Sequence, residues 1–257
     1  MTSEDFVPAA LRRLWRMSEP SRLGRRPALD IDQVVTTAVD IADRDGLAGV
    51  TLPKVAQVLG FTGMSLYRHV GSKDELLALM ADFALGPPPE RPATDDWREG
   101  LRAWAFAQRA VFQRRPWLTH VPTSGPPAGP HRIAWMEAAL AVLAGTGLDW
   151  AHKVGVLSLI GGYVAQATRQ EHELTQGREE GQGQADAEHA WAMALARLVT
   201  PDRFPETANL FASTMFAAPP PGADVAVDAD FALGLDLILD GVAARIARPT
   251  APPGRVV

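Results

Sequence analysis

Apolar residues recur at helical spacing through most of this chain. Val34, Ala38, Ile41 and Ala42 make one stripe over residues 31–45. Leu52, Val55, Ala56 and Leu59 make a second, Leu66 and Val70 a short third, and Leu76, Leu77, Met80 and Phe83 a fourth. Spacings of three and four residues bring side chains onto one helix face, so the pattern predicts four helices before residue 86. The punctuation agrees. Asp30 with Gln33, and Ser72 with Glu75, have capping-box spacing. Thr51 and Thr62 stand where N-caps belong. Pro53 falls in a first turn, where a missing N–H costs little. Asp45-Gly46 closes the first helix with a glycine suited to the left-handed C′ position, and Gly60 marks a tight turn between the second helix and the third.

The Pro-rich run at 86–92 then breaks the pattern and marks a boundary. Beyond it, 97–115 reads as a long amphipathic helix carrying Leu101, Trp104, Ala105, Gln108 and Phe112, and Pro116 ends it. A Pro/Gly-rich loop spans 122–130 and a helix follows over 131–145. Residues 149–172 form the most apolar helix, interrupted by Gly161-Gly162. The polar stretch 171–186 reads as a flexible loop. Further helices are expected at 187–198 and 205–216, then a linker at 219–222 and a last apolar helix at 228–247 with Phe231, Leu235, Ile238, Val242 and Ile246. No segment has strand periodicity and no repeat is evident. The expected fold is all-α, in three parts: an arginine-rich extension (1–28), a small helical domain (29–86) and a larger helical domain (93–250).

Composition narrows the function. The 257 residues are 47% hydrophobic and 21% charged, as in a folded chain with a real core. Cysteine is absent, which excludes disulfides, a thiol nucleophile and cysteine-ligated zinc. No apolar run approaches the roughly 18–20 residues that span a bilayer, and the N-terminus has no apolar h-region, so a cytoplasmic protein without membrane contact is expected. Catalytic signatures such as G-x-S-x-G, a P-loop or H-E-x-x-H are missing, so neither an enzyme nor a cofactor is expected.

Two short helices joined by a glycine turn are what a helix-turn-helix requires. The outer side of the second is small and polar (Thr62, Gly63, Ser65, Arg68, His69), slim enough for a major groove about 12 Å wide. Helical bundles without DNA contacts share that spacing. Charge runs the other way: the formal net charge is −5, where a DNA binder is usually basic. Residues 1–28 carry +3, but residues 22–86 sum to −1, half of the acid being Asp32, Asp40, Asp43 and Asp45.

Particular residues settle the resemblance. Ala56, Gly60, the run Leu66-Tyr67-x-His69-Val70 and then Ser72-Lys73-x-Glu75-Leu76-Leu77 resemble the tetracycline-repressor (TetR) family of bacterial regulators over about residues 30–85. The Asp96-Trp97 start, Arg115-Pro116-Trp117-Leu118 and Trp135-Met136-Glu137-Ala138-Ala139-Leu140 look like the branch containing the tetracycline repressor itself. The resemblance implies a double-stranded DNA operator as partner. Lys73 would pair with a phosphate. Tyr67, His69, Thr51 and Lys54 would bond the DNA backbone. Thr62, Gly63, Met64, Ser65 and Arg68 would lie at base edges, with Met64 able to meet a thymine methyl and Arg68 a guanine or a phosphate. Two readings of the extension stand: a tail, or an arm whose Arg25 and Arg26 follow the DNA.

The larger domain is implied to bind a small-molecule effector and to form a homodimer. Its two most apolar helices, near 149–170 and 228–247, suit either a four-helix bundle between two chains or the core of one. Trp104, Gln108, Phe112, Trp117, His120, Trp135, Met136, Tyr163 and Gln166 are the candidate pocket residues, and the same aromatics at helical spacing also suit plain core. The surroundings of His120 are poor in carboxylates, so no metal is expected there. The implied function is a ligand-responsive repressor that binds a (pseudo)palindromic operator as a dimer and is released by a small hydrophobic or antibiotic-like molecule. The alternative is a DNA-binding regulator without ligand sensing, or an activator.

Overall fold

The computed structural model describes residues 7–17, 29–90, 94–122, 125–177, 184–216 and 228–248. Arg25 and Arg26, and the linker expected at 219–222, lie outside them. The described residues hold helices and no strand: α1 (Ala9–Leu14), α2 (Ile31–Asp45), α3 (Leu52–Leu59), α4 (Gly63–Val70), α5 (Lys73–Leu85), α6 (Trp97–Arg114), α7 (Pro130–Val142), α8 (Trp150–Gln176), α9 (Gln184–Ala196), α10 (Pro205–Ala212) and α11 (Ala229–Ile246). A 3-10 turn, Pro116–His120, follows α6.

The chain divides into two compact units. In the first, which runs through Arg169 and resumes at Leu237, α2 packs on α3 and α5, and α3 packs on α4. Val34, Ala38, Ile41, Val55, Ala56, Leu66, Val70, Leu76 and Met80 are all buried between them, as the stripes require. Local bonds fix where each helix starts. Asp30 and Gln33 form the reciprocal capping box on α2. Thr51 Oγ1 accepts from the Lys54 amide at 3.3 Å, and Ser72 Oγ from the Glu75 amide at 3.1 Å. Thr62 does not cap α4 with its side chain; its hydroxyl pairs with that of Ser65 at 3.2 Å. Gly60 takes the left-handed conformation (φ 74°, ψ 24°) that turns α3 into α4. Gly46 differs from expectation: φ is positive at 70° but ψ is 172°, so it is not a left-handed cap.

The second unit, Gln170–Asp236, holds α9, α10 and an edge-to-face cluster of Trp191, Phe211 and Phe216. Three sequence expectations change. Phe83 is 38% exposed and Asp82 is buried in its place, because α5 is covered by α2 on one side and α7 on the other. α8 runs unbroken for 27 residues through Gly161-Gly162. It also continues to Gln176, so 171–176 is helix and not loop, with the Thr175 hydroxyl bonding the Glu171 carbonyl inside it.

Leu66 anchors the eight-residue α4 and is fully buried. Leu66→Ala is expected to cost about 2–5 kcal/mol of unfolding free energy, read from urea denaturation.

Candidate nucleic-acid interface

With Leu66 and Val70 buried, the rest of α4 faces outward. Met64 is 75% exposed and Tyr67 49%, with Arg68 exposed beside them. Residues 64, 67 and 68 share one face, with Thr62, Gly63, Ser65 and His69 along its margins. A Cβ added at Gly63 would meet nothing within 4 Å, so the start of the helix is open. Large apolar side chains left in water beside an arginine are what a major-groove surface needs, since thymine methyls and guanine edges are read together there. Lys73 is exposed in the first turn of α5. The intervening turn depends on Gly71, whose φ of 71° favours glycine.

The acid that seemed to argue against DNA is largely paired. Asp32 meets Arg16 at 2.6 Å. Asp43 accepts from the Trp117 indole at 2.6 Å and pairs with Arg115 at 3.1 Å. Asp45 meets Arg44 at 2.9 Å and Lys54 at 2.6 Å. This adjusts the expectation for Lys54: its ammonium is held by Asp45, so it must leave that partner to reach a phosphate. Three of these partners, Arg16, Arg115 and Trp117, come from beyond the reach of local pattern. Arg16 follows α1, a segment that also donates the Trp15 indole N–H to the Ala128 carbonyl at 2.7 Å and pairs Arg13 Nε with Glu75 at 2.9 Å. Local pattern shows 1–28 only as an arginine-rich extension and gives residues 7–17 no partner.

The candidate effector residues fall into separate groups. Trp104 and Trp135 are buried edge to face, ring centres 6.1 Å apart. Their indoles are spent inside the protein, on the Trp135 carbonyl at 3.0 Å and the Gly86 carbonyl at 2.9 Å. Gln108 projects toward α8, where its Oε1 would lie 3.9 Å from a Cβ on Gly161. That oxygen is buried without a hydrogen-bond partner among the described residues. Phe112, Met136 and Tyr163 are half-buried. Trp117 sits at the seam with α2 through Asp43. His120 is exposed, with Nδ1 3.2 Å from the Thr119 hydroxyl, and Gln166 is exposed with its amide oxygen on Arg169 at 2.7 Å.

Arg44 first and Lys54 second hold the Asp45 carboxyl well below the usual carboxylate range. A depressed folded-state pKa means the contribution is present above the unfolded value and lost as pH falls through the folded one. In an NMR titration of side-chain carboxyls, Asp45 is expected to stay ionised below the ordinary aspartate midpoint. Lys54→Ala should move its midpoint upward; an unchanged midpoint would show that Lys54 is not held there.

A family profile described as "Tetracyclin repressor-like, C-terminal domain" matches residues 88–246. The HTH-type transcriptional repressor DrrR1 of Streptomyces coeruleorubidus is 36% identical over 247 residues, covering 94% of this chain and 87% of that protein. The class E tetracycline repressor protein of Escherichia coli is 28% identical over 153 residues, covering 58% and 71%. Among solved structures, the Streptomyces coelicolor TetR family protein ActR in complex with actinorhodin superposes with a TM-score of 0.67 at 25% identity, over 86% of this chain and 100% of that one. Neither the profile nor these relatives is enzymatic, and the helical fold, the profile and the repressor sequences agree: the chain belongs to the TetR family of transcriptional regulators.

Proposed function

We propose that this protein is a ligand-responsive repressor that binds a (pseudo)palindromic operator as a homodimer and leaves it when a small hydrophobic molecule occupies its larger domain. The observation that carries the reading is the outward face of α4, with Met64, Tyr67 and Arg68 exposed together and Lys73 following at the start of α5. Tyr67, His69, Thr51 and Lys73 fix register on the backbone, while Thr62 to Ser65 and Arg68 read bases.

The functional division follows the sequence boundary, with DNA reading in 29–86 and sensing and dimerisation in 93–250. Trp150, Val154 and Leu159 on α8, and Leu233 and Leu237 on α11, leave large apolar side chains in water. Two such helices from each of two chains suit a four-helix bundle, and a two-fold dimer suits paired half-sites. The Gln108 oxygen, buried on α6 toward α8 with no partner among the described residues, supports an effector site in the larger domain for a largely apolar molecule with one donor group. ActR is recorded with actinorhodin, which makes that compound the first probe. The effector acts only through its different affinities for the DNA-competent and incompetent states.

Selection of bound genomic fragments tests the DNA half. Lys73→Ala is expected to weaken binding to every selected fragment alike and to lower the salt slope by about 1. Arg68→Ala is expected to cost about 1–3 kcal/mol and to relax preference at one operator position. Equal loss at all positions would make Arg68 a phosphate contact. For the sensor half, actinorhodin and a panel of hydrophobic antibiotics are expected to raise the melting temperature and release the selected fragment. A panel that does neither leaves a DNA-binding regulator without ligand sensing.

A further inference from the structure

Asp82 is 4% exposed, in a stretch of α5 whose Leu79, Met80, Ala81, Ala84 and Leu85 are also buried. An ionised carboxylate in such surroundings is costly unless hydrogen-bonded. Its partners come from another helix, about fifty residues on. Oδ1 accepts from the Arg132 amide at 2.9 Å and Oδ2 from the His131 amide at 3.3 Å. These are first-turn amides of α7, which have no partner inside their own helix. The N-cap of α7 is Gly129, which offers no side chain, and Asp82 supplies the cap in its stead. The positive end of the α7 dipole favours the same charge.

The fit is close. A Cβ on Gly129 would stand 2.0 Å from Asp82 Oδ1. Glycine is required there for space, since its φ of −82° suits any residue. Bonds return in the other direction as well. His131 Nδ1 lies 2.9 Å from the Asp82 carbonyl, Arg115 Nη1 donates to the Ala84 carbonyl at 3.1 Å, and the Trp135 indole donates to the Gly86 carbonyl at 2.9 Å. The C-terminal end of α5 is thus seated on α7 and on the residue that follows α6, while Lys73 stands at its other end. Nine residues of helix separate Asp82 from Lys73, a rise of about 14 Å, so a tilt of about 10° at the seat displaces Lys73 by about 2 Å. That is enough to break a hydrogen bond to a phosphate.

From this arrangement we infer that Asp82 is a positioning residue for DNA recognition. By capping α7 with a carboxylate carried on α5, it makes the placement of Lys73 and α4 depend on where the larger domain holds the start of α7. The inference rests on the reading that α4 and Lys73 meet DNA, and it needs no effector. Coupling is reciprocal, so DNA held by α4 and α5 must in turn restrain α7.

The test is amide hydrogen exchange on the full chain with and without the selected genomic fragment. In the native chain, DNA is expected to slow exchange in the first turn of α7, residues 131–134, by at least about fivefold, the lower end of typical couplings between sites. Asp82→Asn removes one acceptor from the α5 side. Gly129→Ala displaces the carboxylate from the α7 side with the sequence of α5 unchanged. Both are expected to bind the fragment more weakly and, at DNA concentrations that saturate them, to lose the DNA-dependent slowing. A cap with only a structural role would lower the melting temperature of both variants and keep the slowing, which overturns the inference. So does a native chain that binds the fragment with no change at 131–134, a result that stands even if a variant fails to fold. A native chain that selects no fragment overturns the DNA-binding reading instead.

Discussion

Leu66 and Val70 take one face of α4 out of water, and an eight-residue helix has little else to hold it. Isolated helices shorter than about 12–15 residues are marginal in water. The outward face can therefore be given over to Met64, Tyr67 and Arg68 only because the inward face is locked against α2, α3 and α5. The same constraint explains the capping on neighbouring helices. Thr51 and Ser72 fix where α3 and α5 begin, and so fix the turns that aim α4.

Net charge is a poor guide to such a surface, because carboxylates count only where their field reaches. Asp32, Asp43 and Asp45 are paired with arginine, lysine or an indole N–H. Asp82 is spent on two backbone amides. Arg68 and Lys73 have no ion pair among the described residues, and they stand exposed where an anion can approach. The sum over residues 22–86 hides this division.

The helices over 31–85 are legible because each is fixed by residues within four positions of itself: a stripe, a cap and a glycine. Asp30, Thr51, Gly60 and Ser72 behave as their neighbours dictate. Gly46 shows the limit, since positive φ was readable and ψ was not. Asp82 was illegible because its partners are at 131 and 132, and an aspartate one place before an apolar Phe83 reads as the solvent side of the stripe. α1 was faint for the same reason: Arg13, Trp15 and Arg16 find Glu75, Ala128 and Asp32 only in three dimensions. Gly161-Gly162 misled in the other direction, since glycine in a long helix costs about 1 kcal/mol each and packing of Ile160 and Val164 offsets it. The candidate effector residues share type and spacing, but their partners differ: Trp104, Trp117 and Trp135 bond within the protein, while the Gln108 oxygen has no partner among the described residues.

Gly129 carries a consequence for how such chains diverge. The distance between α5 and α7 is set by an atom that is missing, because Asp82 occupies the volume a Cβ would need. Position 129 cannot gain a side chain while position 82 keeps its carboxylate, and even the Cβ of Asp82 would lie 2.8 Å from the newcomer. Relatives that place serine or aspartate at the start of α7 can cap it locally, and must then set the two helices further apart or thin the α5 side. Substitutions at the two positions are thereby bound to travel as a pair. One methyl group at position 129 therefore has to be matched by a loss of volume at position 82 or by a wider gap between the two helices.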